Sequence, residues 1–174
     1  MKGKKFAIRQ AKKLLSQCGF NPDNIDIRRA KDFSTNLEQI SDALEVKVIE
    51  HSFSDNISGV FFKKDGKLFL GVNSNHHEHR RRFTIAHEIG HYILHSAEVL
   101  HYDKSDPDKI YLRADNVLGL DEVEANHFAA ELLLPEKLLL KCIENNILSI
   151  KDLAERFNVS EDTMRYRLTN LGYL

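Results

Sequence analysis

Phe6, Ala7, Leu14 and Leu15 fall on one helical stripe among lysines, and Gly19 and Pro22 supply the stop, so residues 4–18 read as an entry helix. A second helix carrying Leu37, Ile40 and Leu44 should follow a cap at Ser34 or Thr35, and Val46, Val48 and Phe53 suggest a strand after it. The runs Gly59 to Phe62 and Leu68 to Val72 flank Lys64-Asp65-Gly66-Lys67, and Asp-Gly at that place marks a hairpin turn with positive φ. The pattern thus predicts three short antiparallel strands packed on helices. Ser74 or Asn75 can cap the next helix, with Glu78 completing a capping box if Asn75 is the cap, and that helix should run to about His95. Residues 96–117 read as a long polar loop, of a length often functional in compact domains. Helical periodicity resumes from Leu118 to Leu134, stops at Pro135, and returns from Leu138 to Ile143.

The last residues form a different unit. Ser149 and Ser160 can cap two short helices around a tight turn at Asn158, and Gly172 closes the second, a helix-turn-helix-like arrangement. The expected organisation is a core over residues 1–147 and this segment over 148–174. Arg165 and Arg167 could touch phosphates, yet Glu161 and Asp162 occupy the first turn of the same helix and repel them. Packing on the core, or recognition of a protein, is the favoured role.

Composition narrows the setting. A chain of 174 residues, 42% hydrophobic and 29% charged, can bury a core without disulfides. No apolar run approaches the roughly 20 residues that span a bilayer. The basic N-terminus lacks the apolar stretch of a secretory signal, and Cys18 and Cys142 make no spaced framework, which favours a reducing cytoplasm. Lys+Arg 25 against Asp+Glu 26 leaves a net charge of -1, so bulk electrostatics predict no obligate nucleic-acid or membrane partner.

Candidate chemistry lies at His87-Glu88-Ile89-Gly90-His91, the pattern HExxH. On a helix, residues four apart share a face, so both imidazoles can hold one ion while Glu88, about a hundred degrees away, reaches a water beside it. Zinc suits imidazole, and Glu88 is placed to act as a general base in peptide hydrolysis. Phe83, Ala86, Gly90 and Leu94 share the histidines' face and turn it toward the core. A third ligand is needed, and Glu122-Val123-Glu124-Ala125-Asn126 offers two carboxylates. Glu122 is preferred because it shares a stripe with Ala125, Asn126, Ala129 and Leu133, whose small residues suit close packing on Gly90. Glu124, the alternative, should lie on a solvated flank with His127 and Phe128. Asn126 can hydrogen-bond a ligand. His76, His77 and His79 beside Arg80 to Arg82 read as a solvated, salt-bridged surface. His95, His101, Tyr92 and Tyr111 are candidates for stabilising an oxyanion.

The stretch Arg80 to His95, followed by Glu122 to Pro135, resembles the ImmA/IrrE metallopeptidases, as do Ser58-Gly59-Val60 and Val72-Asn73 around the hairpin. That resemblance covers about residues 4–146. It implies a zincin-like α+β core with zinc on His87, His91 and Glu122 and with Glu88 catalytic. It also implies a substrate class: cytoplasmic repressors or regulators, often encoded beside the peptidase in mobile elements or stress operons. The rival expectation is a DNA- or protein-binding regulator with a vestigial metal site. A metal-dependent hydrolase of small molecules is the second, and it would need a deep closed pocket.

Overall fold

The computed structural model of the chain describes residues 3–95, 119–146 and 149–174. Within them the architecture is mixed α+β, with one three-stranded sheet and seven α-helices. Helix α1 (Gly3–Gln17) enters as expected and buries Ala7, Ala11, Leu14 and Leu15. The next helix, α2 (Leu37–Ala43), is capped by Asn36, whose side chain accepts from the Gln39 amide, and not by Ser34 or Thr35. Thr35 is instead buried, its hydroxyl donating to the Leu132 carbonyl at 2.6 Å.

The strands are β1 (Val46–His51), β2 (Gly59–Lys64) and β3 (Lys67–Asn73), in the order β1-β3-β2. Strands β2 and β3 form the expected antiparallel hairpin around Asp65 and Gly66, both with positive φ of 50° and 78°. The expectation of an all-antiparallel sheet is corrected at β1, which pairs parallel to β3 with Val46 opposite Leu68. Residues between β1 and β2 carry the chain past β3, so the middle strand is the last in sequence. Asn73 holds that crossover, its amide donating to the carbonyls of Phe53, Ser54 and Ile57.

Helix α3 (Glu78–His95) begins later than a cap at Ser74 or Asn75 would allow, because Asn75 is engaged with Ser52 and the Phe53 carbonyl. It packs chiefly against α4 (Leu120–Leu133), which also lies along α1. Gly90 makes that approach possible. A Cβ there would meet Phe128 Cδ1 at 3.0 Å and the Ala125 carbonyl at 3.3 Å. Helix α5 (Glu136–Glu144) follows Pro135 and buries Leu138, Leu139 and Cys142; Cys18 and Cys142 are both free thiols.

Helices α6 (Ile150–Phe157) and α7 (Glu161–Leu171) have the caps read from sequence: Ser149 and Ser160 at their starts, Asn158 and Gly172 left-handed at their ends. Leu153, Phe157, Met164 and Leu168 join the same hydrophobic cluster as α1, α3 and α4. Polar contacts tie them further, since Arg82 donates to the Asn158 carbonyl and Arg156 to the Ala30 carbonyl. Arg167 is not the solvent-facing cation expected beside Arg165. It is 3% exposed, with one guanidinium nitrogen on the Glu131 carboxylate and Nε on the Leu134 carbonyl at 3.1 Å. No helix among the described residues is long and apolar enough to cross a membrane.

Candidate metal centre

Helix α3 places His87 and His91 one turn apart, and α4 brings Glu122 over them from its first turn. The two Nε2 atoms lie 2.9 Å apart, with the Glu122 carboxylate oxygens 3.1 Å from His87 Nε2 and 3.0 Å from His91 Nε2. Tetrahedral ligands about 2.0–2.1 Å from an ion stand roughly 3.3 Å from one another, so this convergence suits a shared metal ion. The ring chemistry agrees. Asn126 Oδ1 can only accept, so His87 donates through Nδ1 at 3.0 Å and its Nε2 keeps a lone pair facing the other two donors. His91 is 1% exposed, while Glu122 is 49% exposed in its side chain, so the trio is anchored inside and open at one side.

Glu88 sits beside this trio, next to the start of β2. A Cβ at Gly59 would fall 3.2 Å from Glu88 Cγ and 2.6 Å from Thr84 Cγ2, so β2 presses directly on the α3 face that carries Glu88. Only glycine permits that closeness, and its role was visible in the sequence merely as part of a family resemblance. Thr84 is buried and β-branched, hence slow to yield. Gly59→Ala is expected to destabilise the protein by about 1–3 kcal/mol. Chemical denaturation checks it, and an unchanged midpoint would refute the close packing.

The neighbouring carboxylate, Glu124, is not on a solvated flank. It is 5% exposed, accepts from the Gly3 amide and lies 3.8 Å from His95 Nε2. The reason is that α4 is sandwiched between α1 and α3, which buries two of its faces. His95, Asp121 and Glu124 thereby form a second group of metal-ligating types. Its closest approaches, His95 Nδ1 to Asp121 at 3.7 Å and Nε2 to Glu124 at 3.8 Å, are looser than those of the first trio. Tyr92 stacks on Phe61 with ring centroids 5.0 Å apart, so its ring packs against β2. Arg81 pairs with Glu50 at 3.1 Å on the surface predicted for the His76 to Arg82 stretch. His101 and Tyr111 lie outside the described residues.

A sheet flanked by an HExxH helix and a second helix whose carboxylate faces both imidazoles is an arrangement suited to a metallopeptidase, and comparison with known proteins agrees. Residues 41–169 match the family model described as the IrrE N-terminal-like domain, and the chain belongs to this ImmA/IrrE peptidase family. It is similar to the uncharacterized immunity region protein 2 of Bacillus phage phi105, 30% identical over 73% of this chain and 76% of that one. It is 26% identical to the metallopeptidase ImmA of Bacillus subtilis, over 80% of this chain and 78% of that protein. The radiation response metalloprotease IrrE of Deinococcus radiodurans is 33% identical over 68% of this chain but only 39% of its own length. A solved Mycobacterium tuberculosis transcriptional regulator shares the fold with a TM-score of 0.60 at 24% identity, covering 94% of this chain and 46% of that one.

Proposed function

We propose that the chain is a zinc-dependent endopeptidase that cleaves a protein regulator at a specific bond, with zinc on His87, His91 and Glu122 and with Glu88 as general base. The observation that carries this reading is the mutual approach of three ligand-type side chains, with closest distances of 2.9, 3.0 and 3.1 Å. Two imidazoles and a carboxylate suit zinc and leave a fourth position for catalysis. When bound, the ion supplies Lewis-acid chemistry, acidifying water and polarising the scissile carbonyl. Glu88 takes a proton from the attacking water and returns it to the leaving amine. Asn126 fixes the His87 ring in the tautomer that offers Nε2. Strand β2 is an outer strand of the sheet with its first residue against Glu88, so an extended substrate segment added to that edge would pass the site.

The relatives' names, an immunity region protein and a radiation response metalloprotease, support a regulator of a mobile element or stress operon as substrate. A helix-turn-helix repressor encoded nearby, in the cytoplasm, fits that reading. A DNA-binding role for α6 and α7 is weakened by the burial of Arg167 against Glu131.

Purified protein should hold about one zinc per chain, and His87→Ala with His91→Ala should reduce it to background. Asn126→Ala should weaken zinc affinity roughly 10–100-fold by freeing the His87 ring. Metal analysis with competing chelators measures both, and a content near zero after reconstitution would sink the metal assignment. The substrate is tested by incubating the zinc-loaded protein with the regulator encoded beside it. One mapped cut that a chelator abolishes is the expected result, and an intact regulator would overturn the choice of substrate.

A further inference from the structure

Beside the metal centre, α1, α4 and α7 enclose a groove of about 470 Å³. Phe83, Val123, Ala130, Leu134 and Leu171 make its walls mostly apolar, and its volume lies in the range of ligand-binding clefts. It borders the site through residues that touch or adjoin the candidate ligands. Asn126 lines the groove and holds His87 Nδ1 at 3.0 Å, Phe83 also packs 6.1 Å from the His87 ring, and Val123 adjoins Glu122 in the chain.

We infer that this groove is a specificity pocket that takes a large apolar side chain of the protein substrate, at one fixed position from the scissile bond. The inference rests on the peptidase reading. Arg167 is paired with Glu131, and the lining carries one further cation, Lys4, and one carboxylate, Asp162. Burial first, then Lys4 and Arg167, holds the imidazole of His127, which also lines the groove, below its usual value. The lining thus favours neither sign of charge, whereas its walls are mostly apolar. At the rim, Tyr166 is 70% exposed and Val123 is 46% exposed, apolar surface of the kind that marks a contact area when it borders a cleft. Tyr166, with Asp162, Thr163 and Asn170, lies on one face of α7, so the C-terminal helix supplies a wall of the pocket.

Two measurements on the full chain test it. In the first, N-acetyl-leucine amide and N-acetyl-aspartate amide are titrated into the zinc-loaded protein while methyl resonances are followed by NMR. The leucine probe should shift Val123, Ala130 and Leu171, the aspartate probe should not, and Ala130→Trp should abolish the shifts by filling the groove. In the second, cleavage of a proteome-derived peptide library is mapped by mass spectrometry. The wild type should favour Leu or Phe over Ala at one position by roughly tenfold or more. Ala130→Trp should bring that ratio to about one, and Tyr166→Ala, at an exposed position that spares the fold, should lower it severalfold. Absent methyl shifts, or a cleavage profile unchanged in both variants, would overturn the pocket and leave the peptidase reading standing. A zinc-loaded wild type that cuts no peptide and no regulator would overturn the peptidase reading, and the pocket with it.

Discussion

Glu88→Gln is expected to lower peptide cleavage by about 10²–10⁴-fold while zinc content and fold stay as they are. The amide keeps the shape of the carboxylate but cannot take a proton from water at neutral pH. Glu88 is flanked by Thr84 and by the backbone of Gly59, so glutamine fits the same space without new volume. It is not one of the three converging donors, which is why metal retention should not change. Glu122→Ala should behave in the opposite way, losing metal first and activity as a consequence. The pair of variants separates proton transfer from metal binding. Cleavage assays, metal analysis and circular dichroism on both proteins give the answer. A Glu88→Gln protein that retains cleavage would end the general-base assignment, and one that loses its zinc would place Glu88 among the ligands.

Much of this site was legible because its signals are local. Spacing of four on a helix puts His87 and His91 together whatever the rest of the chain does, and the Asp65-Gly66 turn and the Ser149 and Ser160 caps are decided within a few residues. The stripe shared with Ala125 and Asn126 favours Glu122 over Glu124, and the structure brings Glu122 to the two imidazoles. What failed to show in the sequence depends on neighbours. Alternation along β1 identifies faces but not which strand lies beside it, so the parallel pairing with β3 was invisible. Glu124 looked solvated because a charged residue on a helix flank usually is, and only the position of α4 between α1 and α3 buries it. Arg167 follows the same pattern, since only its contact with Glu131 on α4 buries it.

The buried pair of Arg167 and Glu131 carries the largest expected effect on stability. Arg167→Ala should cost about 3–5 kcal/mol, because it leaves the Glu131 carboxylate, 1% exposed, without its close cation. Burial already pushes that carboxyl above its usual range, and Arg167 is the first of the groups that pull it back; Lys12, at 3.8 Å and half exposed, is a weaker substitute. The Leu134 carbonyl would also lose the Nε hydrogen bond, at the point where α4 ends before Pro135. For a chain of this length the loss corresponds to a fall in Tm of roughly 6–20 °C. Replacing both partners with apolar residues, Arg167→Met with Glu131→Leu, should recover much of the loss, since an apolar pair leaves no buried charge behind. Thermal and chemical denaturation of the single and double variants decide between this account and a solvent-facing Arg167. A single variant within about 0.5 kcal/mol of wild type, the usual range for a surface change, would show that the arginine is not buried against α4.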